Sequence, residues 1–290
     1  EVPVMVQRLC GICPVSHHLA ACKALDAVVG ATQLTPTAEK IRRLMHYGQI
    51  LQSHALHFFH LSSPDLLFGF GSDMARRNIV GVAAAHPEIA KQGVLLRKYG
   101  QEVIRHTAGK RIHGTGAVPG GVNKSLTAAE RDELKKDVYQ MISWSREAVR
   151  LVRRLFEQDL DTYRNFGTFE ARTLSLVRAD GAMDLYHGGF RVGPLSRVTR
   201  CDFIPTPLAD RERREFLAFD DGLAARSTLG FHWARMIEML HSAEAIKDLL
   251  HDDDLLGSDL MAGGERQARG VGVIEAPRGT LIHHYRVDEN

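Results

Sequence analysis

The stretch "RLCGICPVSHH", residues 8–18, sets Cys10 and Cys13 two residues apart and follows them with His17 and His18. Thiolates at that spacing can share a metal ion or close a redox disulfide, and the same pattern also suits a buried pair of small apolar side chains. A structural zinc site needs two further Cys or His ligands. His17 and His18 are near enough to supply them, but the sequence holds no second Cys-x-x-Cys. Spacing alone describes half of a metal site.

Three other stretches carry chemical potential. "SHALHFFHLSSPD" (residues 53–65) places His54, His57 and His60 three apart, where neighbours meet on a helix face. Such histidines are more often core residues with local hydrogen bonds than ligands. Asp65, beside the apolar "LLFGF", needs a partner if it is buried. "KRIHGTGAVPGGV" (residues 110–122) is basic and glycine-rich but fits neither phosphate-loop fingerprint, so a tight loop with close backbone packing is the simpler reading. In "EAPRG", Pro277 and Gly279 fix Arg278 in a turn between two apolar strands, which aims its guanidinium at an anion or carboxylate. Burying Asp65 or Arg278 alone costs several kcal/mol, roughly, which predicts that the two pair beside the cysteines.

The elements that must position these groups are mostly helical. One helix follows the cysteine pair and ends near Gly30. A second starts at Thr35, a capping residue followed by Pro36, and is expected to stop before Pro64. A third spans about Pro87 to Gly109. The Thr127–Glu130 capping box opens a long amphipathic helix to about Tyr163. Strand-like "TLSLV" and a turn at Asp180-Gly181 come next, then helices over Leu208–Phe219 and from His232 to about His251. "GVGVIEA" and "TLIHHY" read as strands around a Pro-Arg-Gly turn. The fold class is α+β, predominantly helical: a long-helix core with small β elements.

At 290 residues the chain can bury a sizeable core, and 44% hydrophobic with 25% charged residues is ordinary for a globular protein. A formal charge of +2 gives no reason to expect nucleic acid or an anionic membrane surface as partner. No apolar run is long enough for a transmembrane segment. Four cysteines, two of them isolated (Cys22 and Cys201), suit a reducing compartment rather than a disulfide scaffold.

Taken together the blocks resemble the large subunit of the [NiFe]-hydrogenases. Arg8, Cys10, Gly11, Cys13 and His17 match the amino-terminal signature of that family, "SHALHFFHLSSPD" is similar to its next block, and "EAPRGTLIHHY" to the block that packs over the iron. "RLCGICPVSHHLA", "TPTAEKIRRL", "VPGGV" and "EAPRGTLIHHY" look most like the cytoplasmic NAD-reducing, or bidirectional, branch. The similarity extends from Val6 nearly to Asn290. It implies one large-subunit domain over 1–290, truncated at both ends, with a helical core at about 14–165 and 207–252 and small β-containing parts at about 170–205 and 268–287.

The resemblance also implies roles. Nickel is held in that family by four thiolates, a set suited to an ion that changes redox state. Cys10 matches the terminal ligand of the first pair. Cys13 matches the bridge to an iron that carries carbon monoxide and cyanide. The second pair lies in an Asp-Pro-Cys-x-x-Cys expected beyond Asn290, and a proton-transfer glutamate is expected before Glu1. Arg278 would sit over the open nickel–iron position with Asp65 orienting it, His17 would hydrogen-bond the Cys13 sulfur, and Pro277 and Leu281 would line the apolar pocket. The implied reaction is reversible heterolytic cleavage of H2 to protons and electrons. Electrons would leave through iron–sulfur clusters of a small subunit, and flavin-bearing diaphorase subunits would handle NAD. Relatives carry a longer segment where this sequence joins Gly189 to Phe190. The rival readings are a nickel-free, quinone-binding complex-I-like subunit, which lacks the cysteines, an F420-linked hydrogenase large subunit, and a zinc module.

Overall fold

The computed structural model describes residues 1–167, 175–186 and 193–288. Six long helices carry the architecture of this part: α1 (Pro14–Val28), α2 (Pro36–Leu56), α3 (Pro87–Ala108), α4 (Ala128–Gln158), α5 (Pro207–Ala218) and α6 (Gly230–Leu250). Their starts follow local chemistry. The Thr35 hydroxyl accepts from the Ala38 amide at 3.2 Å, and Thr127 with Glu130 closes a reciprocal capping box. Gly109, at φ 80°, ends α3 in the left-handed conformation that a side chain disfavours.

Helix α2 is the centre. It packs against α3 and α6, while α4 covers α6 and α3, and α5 lies on α6. Both α2 and α6 are buried over most of their length, so neither has a polar face, and their charged residues must find partners inside. Arg42 of α2 shows how. Its guanidinium grips Asp26 of α1 with two bonds of 2.6 and 2.9 Å and donates to the carbonyls of Val118 (2.6 Å) and Gly121 (3.0 Å). The short hairpin of β1 (Ala117–Val118) and β2 (Gly121–Val122) is thereby tied to two helices. This is why the glycine-rich stretch is a structural loop and not a phosphate cradle: its carbonyls face a cation.

The second hairpin pairs β3 (Arg269–Ala276) with β4 (Gly279–Arg286), antiparallel and in register to the Ala276–Gly279 pair, which leaves Pro277 and Arg278 as its two-residue tip. Strand β3 lies on the backbone of α1. A Cβ at Gly272 would fall 2.0 Å from the Ala20 carbonyl, and one at Gly270 1.8 Å from that of Ala24, so the close contact requires the alternating glycines of "GVGV". The α+β, helix-dominated class read from the sequence is the one observed.

Three expectations change. Helix α2 ends at Leu56, before Pro64, but the helical path does not end with it. It widens into a π-helical turn over His57–Ser62 and resumes as Ser63–Phe68, where Pro64 occupies an early position that needs no amide donor. Helix α4 ends at Gln158, and Asp159 caps a separate short helix, Leu160–Asn165, through the Thr162 amide. The turn at Gly181 exists, but the strand reading of "TLSLV" reduces to a single bridge from Val177 to Met183 among the described residues. Thr173 and the Gly189–Phe190 join lie outside them. No described helix is long and apolar enough to cross a membrane.

Candidate metal centre

Cys10 and Cys13 sit where a 3-10 turn (Gln7–Leu9) gives way to α1, with Cys10 in extended conformation and Cys13 at the helix N-cap. Their sulfurs are 3.0 Å apart and both residues are half-buried. The amides of Ile12 and Cys13 donate to the Cys10 sulfur at 3.3 and 3.2 Å. From α2, the side-chain amides of Gln49 and Gln52 both donate to the Ile12 carbonyl, at 2.8 and 2.7 Å. The loop is thus shaped by the fold. Burial pushes the Cys13 thiol up to about 11, with the adjacent Cys10 adding to the rise. Burial also opposes ionisation of Cys10, but hydrogen bonds from Cys13 and Ile12, with the Arg278 charge, bring it below its ordinary value. Of the two thiols, Cys10 is therefore the more readily ionised.

This donor set fits a soft transition-metal ion. Two sulfurs 3.0 Å apart subtend about 80° at an ion roughly 2.3 Å from each. That is nearer a square-planar or tetragonal right angle than the tetrahedral angle of structural zinc.

Arg278 reaches the same place from the hairpin tip. Its charge favours the ionised form of both thiols, and Nη1 donates to the Ser53 hydroxyl of α2 at 3.2 Å. Pro277 is buried, and Leu281 packs on the cluster containing Val15, Leu19 and Ile274.

The expected Asp65–Arg278 pair is not made. Asp65 lies in the first turn of Ser63–Phe68 with about half its side chain exposed, and it pairs with Arg77 at 3.3 Å. A carboxylate at a helix start in contact with water has no burial cost to offset, so the inference from its apolar neighbours was misplaced. The expected hydrogen bond from His17 to the Cys13 sulfur is also absent. The His17 ring stands edge-on to His283 at 5.8 Å, and its buried Nδ1 has no protein partner. Of the histidines of the second block only His57 makes the local bond expected, with the Ser62 hydroxyl at 3.3 Å; His54 meets Glu238 of α6, 184 positions away, at 2.9 Å, and His60 leaves a buried Nδ1 unpartnered. Cys22 and Cys201 are buried and free.

One other group of possible ligands, Glu102, His106 and Glu133, comes within metal-binding distance on α3 and α4. Guanidinium groups already serve it: Arg105 contacts Glu102 at 2.6 Å and His106 at 2.8 Å, and Arg111 contacts Glu102 at 2.5 Å.

Sequence reasoning missed the residues that anchor the hairpin. Arg197 and Glu238 are fully buried, and Arg197 grips Glu238 through Nε and Nη2 at 2.5 and 2.7 Å. Its Nη1 donates to Glu275 of β3 at 2.8 Å and to the Ala276 carbonyl at 3.0 Å. No motif marks these residues. The usable signal was that the charged residues of α6 are scattered around the helix and form no single polar face, so some of them, Glu238 among them, have to be buried.

Comparison with known proteins agrees with this geometry. The sequence profile described as "Nickel-dependent hydrogenase" matches residues 1–68. The beta subunit of the NAD-reducing hydrogenase HoxS from Cupriavidus necator is 39% identical, over all of this chain and 72% of its own length. A subunit of the vhu F420-non-reducing hydrogenase from Methanocaldococcus jannaschii is also 39% identical, over 100% and 80%. A crystal structure of an NAD+-reducing [NiFe]-hydrogenase in the H2-reduced state superposes with a TM-score of 0.98 at 52% identity, covering 100% of this chain and 75% of that one. The [NiFeSe]-hydrogenase of Dm. baculatum, at a TM-score of 0.78 and 20% identity over 99% and 77%, shares the fold.

Proposed function

The chain belongs to the nickel-dependent hydrogenase family, and from that premise we propose that it is the catalytic large subunit of an NAD-linked [NiFe]-hydrogenase, one domain of which the residues here are the greater part. The observation that carries the reading is the Cys10–Cys13 sulfur pair at 3.0 Å beside the Arg278 guanidinium. When bound, the nickel–iron group supplies the redox-active acceptor for heterolytic cleavage of H2, its iron carrying carbon monoxide and cyanide.

The residues of the chain do the rest. Cys10 and Cys13 would hold the metals on one side, Cys13 in the position that matches the family's bridging thiolate. Arg278 places a fixed positive charge over the pair, where charge separates as H2 splits. Ser53 orients that guanidinium in the place assigned at first to Asp65. Pro277 and Leu281 keep the approach apolar. An iron–sulfur small subunit would take the electrons, and flavin-bearing diaphorase subunits would pass them to NAD+. Four free cysteines support a cytoplasmic, reducing setting.

The intact cysteine pair disfavours the complex-I-like alternative. Elemental analysis with an H2-dependent NAD+ reduction assay on the assembled complex tests the proposal. Nickel with iron and H2-linked turnover is the expected result. Zinc alone, or no metal with no turnover, overturns it.

A further inference from the structure

A closed circuit of contacts surrounds Arg278. On one side its Nη1 meets Ser53, and the next residue along α2, His54, meets Glu238 of α6 at 2.9 Å. Glu238 is gripped in bidentate fashion by Arg197. Arg197 closes the circuit on the hairpin itself, through the Glu275 carboxylate and the Ala276 carbonyl that precedes the Pro277–Arg278 tip. Glu275 also accepts from the Thr280 hydroxyl on the facing strand at 3.0 Å and from the Leu176 amide at 2.7 Å. His54, Arg197, Glu238 and Glu275 are all fully buried.

Packing a hairpin does not require charges there. Replacing a buried ion pair by well-packed apolar residues is often neutral or stabilising, so packing alone does not call for this assembly. Its geometry does something apolar packing does not. Each bond is directional, and together they fix both the main chain entering the tip and the hydroxyl that receives the guanidinium. The geometry points to Arg197 and Glu275 as positioning residues for Arg278: they hold its guanidinium at the cysteine pair, acting through the hairpin and touching no substrate. The task of Arg278 rests on the hydrogenase reading, and the circuit on the observed contacts.

The test uses the assembled, metal-loaded enzyme and two variants, Glu275→Gln and Arg197→Lys. The first keeps shape but loses the charge facing Arg197. The second keeps charge but loses the fork. H2 turnover is expected to fall by about a hundredfold, as for a misplacement on the order of 1 Å at a reacting centre. The infrared cyanide bands are expected to shift in the same direction as in Arg278→Lys. In the Arg278→Lys background, adding Glu275→Gln is expected to change neither rate nor bands further, because the residue acts only through Arg278. Unchanged bands and rate in a variant with full metal content, or losses that multiply with that of Arg278→Lys, overturn the inference. If both variants purify without metal, hydrogen exchange of the chain decides. Faster exchange confined to the tip at residues 276–280 supports it, and a rise across the whole chain makes the network a structural staple and overturns it. A wild-type enzyme that holds only zinc sinks the hydrogenase reading, while the exchange result still judges the circuit.

Discussion

Arg278 and Ser53, 225 positions apart, meet at 3.2 Å with the guanidinium donating to the hydroxyl. A charged donor on a buried hydroxyl is worth roughly 1.5–3 kcal/mol. Ser53→Ala should therefore lower H2 turnover by about ten- to a hundredfold with normal nickel content and lower Tm by at most several degrees. Wild-type turnover in that variant would mean that the hairpin alone sets the arginine.

Asp65→Asn distinguishes the observed pairing from the one expected from sequence. An exposed ion pair such as Asp65–Arg77 contributes at most about 1 kcal/mol. Turnover and melting temperature should stay within a few-fold and a few degrees, roughly, of wild type. A collapse of turnover comparable with that of an Arg278 variant would return Asp65 to the mechanism.

Cys10→Ser replaces a soft donor by a hard one at a half-buried position. Nickel bound per chain should drop about tenfold or more by elemental analysis. The stability of the metal-free chain in a urea titration should change by less than about 1 kcal/mol, because a substitution that leaves packing intact is usually nearly neutral. Full nickel retention would remove Cys10 from the ligand set.

Stability should fall on mild acidification. Burial, the largest cause in each case, lowers His46 and His57 to about 3 and His54, His232 and His241 to about 4. Below the ordinary histidine value near 6.5 the unfolded chain takes up protons that the folded chain refuses, so folding is disfavoured progressively as pH drops from about 6.5 to about 4. Glu238 follows the carboxylate rule. Burial pushes it up, but Arg197 and His54 outweigh that push and hold it at about 2. Its contribution persists above its unfolded value and disappears only at lower pH. A urea titration at pH 7 and pH 5 should show the lower midpoint at pH 5. Equal midpoints would mean that these histidines are protonated in the fold.

The parts legible in the sequence were those written locally. Thr35, Thr127 with Glu130, and Gly109 announce their helix ends through short-range chemistry, and Cys10, Cys13 and Arg278 stand in stretches with their own spacing or turn residues. Arg197, Glu238 and Glu275 were not legible, because each resembles an ordinary surface charge and its meaning comes only from partners 41 and 78 positions away. Asp65 was misread for a different reason. The π-helical turn over His57–Ser62 shifts the helical phase, and no local signal in the sequence marks it, so the sequence concealed that the chain would turn this carboxylate outward.

The two glutamine amides on the Ile12 carbonyl shape the cysteine loop from α2, which bears on the order in which the protein is built. In a zinc finger the ion organises the loop, and extracting it unfolds the domain. Here the helices supply that organisation, so the polypeptide can mature first and receive its ions afterwards as cargo. A chelator that strips the centre should then leave a vacant but folded vessel, one that can be refilled without refolding.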